Sequence, residues 1–502
     1  MALTPWNPTL VLRYADVGVA TYASLRVVGQ PSATVTWVIE DSALRTVGDL
    51  LTDAVPDPRP PESPREAIER AVSGGSLATP AAEKELAAVL GSHLIAPEAW
   101  QLIAEHASRS LPALFVAPTA RLATVPWSLL ASNAMPGGHE PRLIEIADIL
   151  MAAPPNIANS PRRPPRSHDR GEGPPLLILD PRVPGQRPDS PLGSVLGRPD
   201  AESRVARHFA ALMKRGDVLP DVDSAVALFR NADADRTWLA EQLARQPSRL
   251  LFVGHATAAD GDVGRADRAA VHLADPQPLT AADMMTARLP IPPRAALLAC
   301  ASGGDYRFDE ATGLVAALIL GGAVLVTATL WSLPTTAGYR QFCGTAGEFA
   351  DPMGEVVVAV DTAHQAEHPG RAVNSWQRRQ LNRWRTGDVT ASSAAGSIAL
   401  SGDLARVSLS TVSGAATITA AQASPLITAK TVSGAIDLRL PAGTPVNLKV
   451  RGASGQVVLD GSVLPSSGAT LVVDHGEQPS GGRSAAYLSA TVTSAHVTVD
   501  RR

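Results

Sequence analysis

Three short apolar runs limit this chain more than any other feature: RLLFVGH ending at His255, RAALLACASGG from Arg294, and AVLVTATLW from Ala323. None has the every-other-residue polarity of a strand with one wet face. Runs of this kind fit strands buried on both faces of a parallel sheet, which needs helical crossovers packed on each side. Between the first two, LTAADMMTARL reads as such a helix, with Thr280 as N-cap and Asp283 as its capping-box partner. Gly313 to Leu333 carries no charge for 21 residues, long enough to span a bilayer. Gly321-Gly322 divides that stretch into a helix-like half, GLVAALIL, and a β-branched half, AVLVTATLW. A buried helix feeding a buried strand accounts for both, so no membrane span is expected.

At roughly 150 residues per domain, a chain of 502 argues for two to four folding units. Residues 1–64 read as a β-rich segment, with strands in TLVLRYADV, ATYASLRVV and ATVTWVIED, closed by the Pro-rich connector VPDPRPPESP. Two helices are expected over Arg65–Ser73 and Ala81–Ser108, the second opened by Pro80. ALFVA from Ala113 reads as a strand, and VPWSLLA after it as a helix entry. The strand LLILD lies between two segments rich in Pro, Arg, Gly and Ser, at 154–175 and 181–199, which read as surface loops. Ala201–Lys214 reads as a helix, and strands then alternate with helices up to the basic helix Trp376–Arg385.

After Thr386 the composition turns to Ala, Ser, Thr, Val and Gly, with Tyr487 the only aromatic. AAGSIAL, VSGAATI, VSGAIDL and ASGQVVL place glycines at 396, 414, 434 and 455, spaced by 18, 20 and 21 residues. A period near 20 with small-residue turns predicts a solenoid-like all-β domain over 387–502; an antiparallel sandwich of similar hairpins is the alternative.

The chain has two cysteines, Cys300 and Cys343, too few for a disulfide framework or a cysteine-rich zinc site. That usage fits a cytoplasmic protein. Pro5 and Pro8 interrupt the first residues, and no basic stretch precedes an apolar run, a poor match to a secretory signal. In open α/β sheets, reactive groups collect at the C-terminal ends of strands. His255 directly follows one apolar run and Cys300 ends the next, about 45 residues on. If those strands are neighbours, thiol and imidazole leave the sheet at one edge, as a nucleophile and its base require. Singly, such a Cys reads as core filler and such a His as a loop residue; together they point to chemistry. The small residues Ala299, Ala301, Ser302, Gly303 and Gly304 leave room for a substrate backbone. Cys343 has no such setting and reads as structural.

The ordered series LLFVGHA, a helix, ALLACASGG, DEATGLVAALILGGA and VTATLW resembles the CHAT family of caspase-like cysteine peptidases, of clan CD and related to separases and caspases. Upstream, ALFVAPTARLATVPWSLLA and LIEIADILMAAPP extend the resemblance to about residues 85–386. It implies an α/β caspase-like sandwich, a mostly parallel sheet flanked by helices, over 65–386, with the catalytic half at about 235–386. It further implies His255 as general base and acid, Cys300 as nucleophile, and the backbone N–H groups of Ala256 and Cys300 as oxyanion donors. Ala256 stands where the family often has Gly. No metal or cofactor is implied. Where the family commonly has an acid after "LW", this chain reads LWSLPTT, so a basic P1 side chain is not implied. Asp305, Asp309 and Glu310 are candidates to line a substrate pocket; Glu310 also reads as the start of the next helix, where negative charge suits the dipole. The implied activity is a cysteine endopeptidase cleaving protein or peptide substrates through an acyl-enzyme, in bacterial signalling or defence. The alternative is a catalytically silent caspase-fold scaffold that binds proteins. The tail resembles the β-helical adhesin-like domains of many bacterial proteins, through its VSG-plus-strand units, and is a candidate site for a regulatory protein partner.

Other readings fall away. A net charge of -4 gives no global case for nucleic-acid binding. None of the four lysines (Lys84, Lys214, Lys430, Lys449) sits in a Gly-rich turn, so no phosphate loop is present. His364-Gln-Ala-Glu-His368 matches an inverted zinc-protease pattern, but Pro369-Gly370 ends the helix at once and Glu477 is the sole glutamate downstream.

Overall fold

The computed structural model describes residues 8–59, 61–107, 110–132, 140–164, 173–187, 192–198, 200–258, 265–300, 302–304, 312–342, 351–386, 389–393, 395–402, 404, 406–420, 425–466, 470–477 and 485–501. The chain divides into two compact units, Met1–Tyr339 with Asp351–Trp376, and Arg340–Ala350 with Gln377–Arg502.

The first unit holds two larger sheets. β1 (Thr9–Asp16), β2 (Ala20–Val27) and β3 (Gln30–Glu40) form an antiparallel meander. β1 also pairs in parallel with β4 (Ala113–Ala117), and β4 with β5 (Asp148–Met151), so the N-terminal strands belong to a five-stranded sheet rather than one of their own. Their alternation buries Leu10, Leu12, Tyr14 and Leu25 against α1 (Asp41–Ala54), α3 (Pro80–Leu94) and α4 (Pro97–Ala107); α2 (Pro64–Ser73) precedes these last two.

Two local readings change here. The sequence reading has no helix before residue 65, yet α1 forms because Leu44, Val47, Leu51 and Ala54 recur at helical spacing and are buried together. The single helix expected over 81–108 is two, bent by 105° at Ile95-Ala96. Pro97 opens α4 and disfavours helical backbone at the residue before it. Pro80 does open α3, as expected.

The second sheet is all parallel, in the order β12-β11-β7-β6, and follows two one-turn helices, α5 (Leu143–Ile146) and α6 (Pro155–Ala158). Its chain order is β6 (Leu176–Leu179), α7 (Arg204–Met213), α8 (Arg236–Ala244), β7 (Leu250–Val253), the short β8 (Ala256–Thr257), β9 (Ala270–Val271) and β10 (Leu279–Thr280), then α9 (Ala281–Ala287), β11 (Arg294–Leu298), α10 (Leu314–Gly321) and β12 (Leu325–Ala328). α11 (Thr336–Phe342), α12 (Pro352–Gln365) and α13 (Pro369–Thr386) follow. Leu176, Ile178, Leu250, Phe252, Ala295 and Leu297 face one core with α8, α9 and α10. Leu177, Leu179, Leu251, Val253, Ala296 and Leu298 face the other with α7 and α12. Burial on both faces is why β6, β7 and β11 show no alternation; β12, expected to be buried likewise, is half-buried at each residue, with Val324 before it 55% exposed. The Thr280–Asp283 capping box forms as expected: the Asp283 N–H donates to the Thr280 hydroxyl and the Thr280 N–H to the Asp283 carboxylate. At the edge of the first sheet, Asn374 of α13 accepts from the Ile149 N–H at 2.8 Å and donates to the Ile149 carbonyl at 3.0 Å, which satisfies the exposed side of β5. Among the described residues no single helix is long and apolar enough to cross a membrane.

The second unit is all-β, and its repeats pair in parallel, not as antiparallel hairpins. β13 (Val389–Ser393), β15 (Arg406–Thr411) and β17 (Leu426–Thr431) form one ladder; β14 (Ile398–Gly402), β16 (Ala416–Ala420) and β18 (Ile436–Leu440) form another. Register offsets of 18 residues (Ile398 opposite Ala416) and 20 residues (Ala416 opposite Ile436) equal the glycine spacings. β19 (Val446–Leu459) carries the fourth repeat but is not the next layer. β22 (Ala486–Arg501) lies between, paired in parallel with β17 and β18 on one side and β19 on the other. β20 (Ser462–Val463) and β21 (Leu471–Gly476) pair antiparallel with β19. A β-carbon on Gly434 would fall on the Gly414 carbonyl, and one on Gly414 on the Gly396 carbonyl, so the turns stack only where no side chain intervenes.

Gly434→Ala is therefore expected to cost about 1–3 kcal/mol, since the opposing atom is backbone and cannot yield. Hydrogen–deuterium exchange should quicken in β15–β18 and stay unchanged in β6, β7 and β11. The exposed neighbour Ser433→Ala serves as the control and should leave both regions unchanged.

Candidate functional site

β7 and β11 are neighbours, and Val253 lies opposite Leu298 as their last paired residues. The Gly254 N–H donates to the Leu298 carbonyl at 3.2 Å and carries the ladder one residue further. His255 and Cys300 each stand two residues beyond that last pair, at the same edge and the same register. Neighbouring strands lie about 4.8 Å apart, so side chains leaving this edge at one level are local to each other.

His255 is half-buried, and its Nε2 lies 2.8 Å from the carbonyl of buried Gly193. A carbonyl only accepts, so Nε2 bears the proton and, in the neutral ring, Nδ1 keeps its lone pair. The backbone at His255 is fixed by the His272 N–H, which donates to its carbonyl at 3.0 Å. That same bond makes Ala256 and Val271 the non-hydrogen-bonded pair of the β8–β9 ladder. The Ala256 N–H consequently faces away from β9, and the ladder does not consume it. His272 sits beside this turn with Nε2 2.6 Å from the Thr257 hydroxyl. Burial lowers its pKa, and the charge of His255 lowers it further.

Cys300 is half-buried, and its thiol donates weakly to the Leu333 carbonyl at 3.9 Å. The turn that holds it is clamped to the end of β12 by two hydroxyls. Ser302, 2% exposed, donates to the Leu297 carbonyl at 2.8 Å and accepts from the Thr329 N–H at 3.2 Å. Thr329 donates to the Ala299 carbonyl, and its own carbonyl receives the Gly303 N–H at 2.9 Å. Asp305, Asp309, Glu310 and Cys343 lie outside the described residues. α10 begins at Leu314 with no acid in its first turn.

Sequence reasoning missed Gly193, His272, Ser302 and Thr329 as parts of this edge. Gly193 lies in a segment read only as a surface loop, and its contribution is a carbonyl, which no residue type advertises. His272 had the weakest of signals, a histidine in the connection between His255 and the next helix.

The inverted zinc-protease pattern is dispersed. His364 lies in the last turn of α12, 3% exposed, with Nε2 2.7 Å from the Thr327 hydroxyl, while Glu367 and His368 lie past that helix. Among the described residues, no group of three or more His, Cys, Asp or Glu is placed to hold a metal ion.

The CHAT domain family model matches residues 84–397. No curated protein sequence matches the chain.

His364 generates a pH dependence of its own. Burial pushes its pKa down from 6.5 to about 4, so below pH 6.5 the unfolded chain takes up a proton that the folded one refuses. Stability should therefore fall as pH drops through that window, by about 2 kcal/mol between pH 7 and pH 5. Urea unfolding at the two pH values measures it, and His364→Gln, which keeps a partner for Thr327, should flatten the difference.

Proposed function

The chain belongs to the CHAT domain family of caspase-like, peptidase-type domains, whose model covers residues 84–397, and from that premise we propose that it is a cysteine endopeptidase using Cys300 as nucleophile and His255 as base and acid. The observation that carries this reading is the shared register of the two residues beyond Val253 and Leu298, with His255 Nε2 tied to a carbonyl. Nδ1 takes the Cys300 proton, and the thiolate attacks the scissile carbonyl carbon. The oxyanion that forms is held by the N–H groups of Cys300 and Ala256, the latter turned away from β9. The resulting imidazolium, stabilised by the Gly193 carbonyl through Nε2–H, protonates the leaving amine as the C–N bond breaks and a thioester remains. Water, deprotonated by His255, then releases the acid and restores the thiol.

In this reading residues 65–386 carry the peptidase domain, with β1–β3 completing its first sheet, and 387–502 form an accessory domain. The parallel ladders, offset by one sequence repeat per layer, support a solenoid-like description of that domain and a role in holding a regulatory protein. A cytoplasmic bacterial protein of signalling or defence fits the scarcity of thiols. The rival reading, a silent caspase-fold scaffold, draws on the Cys300 thiol, whose hydrogen bond goes to the Leu333 carbonyl.

Cleavage profiling against a peptide library separates the two. Cys300→Ala should abolish cleavage, and His255→Ala should lower it by about 10²–10⁴-fold. Identical profiles for wild type and Cys300→Ala would sink the peptidase and leave the scaffold.

A further inference from the structure

Asp180 follows β6, the strand beside β7, and its N–H donates to the Val253 carbonyl at 2.6 Å, so it stands at the same sheet edge as His255. It is 1% exposed and has left-handed backbone (φ 54°), a conformation that Asp and Asn adopt more readily than other non-glycine residues. Its carboxylate grips three successive residues of a separate loop. Oδ2 accepts from the Ser194 hydroxyl at 2.6 Å and from the Leu196 N–H at 3.5 Å, while Oδ1 accepts from the Val195 N–H at 3.1 Å. The Ser194 hydroxyl is also 2.7 Å from the Gly197 carbonyl, and Arg230 lies 3.5 Å from Oδ1. The residue immediately before this grip is Gly193, whose carbonyl meets His255 Nε2.

We propose that Asp180 is a positioning residue for His255, acting through the Gly193 carbonyl to fix which ring nitrogen bears the proton. The proposal rests on the reading of His255 and Cys300 as base and nucleophile. A carbonyl in an unanchored loop would drift, and the imidazole would then populate both tautomers. With the proton on Nδ1, that atom can no longer accept from the thiol. Two carboxylate oxygens can take three donors from consecutive residues at once, which no neutral side chain of this size can do. The anchored carbonyl also receives a charge-assisted hydrogen bond once the ring is protonated, which favours the thiolate–imidazolium state. Among the described residues, the charged and titratable groups identified around these contacts are Arg230 beside Asp180, His272 beside His255, and Cys300 at the same register of the neighbouring strand.

The test is the rate of Cys300 alkylation by iodoacetamide in the full chain, followed at the Cys300 peptide by mass spectrometry from about pH 5 to pH 9. Wild type, Asp180→Asn, Ser194→Ala and His255→Ala are compared, with folding checked by circular dichroism. We expect Asp180→Asn and Ser194→Ala to alkylate about tenfold more slowly near neutral pH, a fraction of what a positioned base contributes, with profiles displaced towards that of His255→Ala. A merely structural role would change the unfolding midpoint and leave the pH profile in place. If Asp180→Asn does not fold, the half-exposed Ser194→Ala decides, because it removes the 2.6 Å contact adjacent to Gly193 while the bonds to Val195 and Leu196 keep the variant folded. Folded variants with the wild-type profile overturn the proposal while a shifted His255→Ala profile keeps the dyad. A His255→Ala profile identical to wild type overturns the dyad and this proposal with it.

Discussion

In the parallel pair β7–β11, Val253 lies opposite Leu298, and burial on both faces prevents that register from slipping. A step of one residue would exchange Phe252 and Val253 between two separately packed cores, placing an aromatic ring where α7 and α12 leave room for an aliphatic side chain. The alanines Ala295 and Ala296 at the start of β11 sharpen this, because helices on both faces close over small side chains there. The positions of His255 and Cys300 follow from that constraint, since each is fixed by counting two residues from the last pair. Apolar packing far from any reacting atom thus sets the level at which the polar groups emerge.

Beyond the strand ends the chain loses the ladder, and buried backbone groups need other partners. Side-chain oxygens supply them. Ser302 and Thr329 satisfy carbonyls and N–H groups on both sides of the Cys300 turn, and the Asp180 carboxylate does the same for residues 194–196. Each oxygen is worth little as a net hydrogen bond, but removing one leaves a buried partner unmet, which costs more. The opposite edge uses the same device: buried Asp361 at the end of α12 accepts from His208, Arg249 and Gln365. Burial pushes its pKa up, and the His208 hydrogen bond and Arg249 charge outweigh that to hold it below the ordinary carboxylate value.

What was legible in the sequence was what repeats or excludes water. Two of the three uninterrupted apolar runs are strands with two buried faces, while the third, β12, is only half-buried; the Thr280–Asp283 spacing declared a helix start, and the order of strand, His, helix, strand, Cys placed both residues at strand ends. The rest depended on distant parts of the chain. The parallel pairing of β1 with β4 in the five-stranded sheet joins residues about a hundred apart and leaves no local mark. α1 was hidden because Leu44, Val47 and Leu51 follow directly on an alternating strand, so the change of period has no glycine or proline to announce it. The Gly193 carbonyl was beyond reach, because backbone atoms are the same at every position and only folding decides which of them meets an imidazole.

The second unit shows the same division between local and distant information. Glycines at intervals of 18 and 20 residues predict which turns stack, and the register offsets agree. Extending the rule by one more repeat would set Gly455 on Gly434, yet Gly455 lies against the Ala495 carbonyl, because β22 occupies the layer between. The alternation of small and β-branched residues in TVTSAHVTV is what admits this: Val497 continues the column formed by Ile398, Ala416 and Ile436, and Val457 follows on its far side. Length favours β22. It is long enough to pair with β17 and β18 along both its halves while β19 covers its other edge, so one strand satisfies two ladders that would otherwise end in open hydrogen-bonding groups.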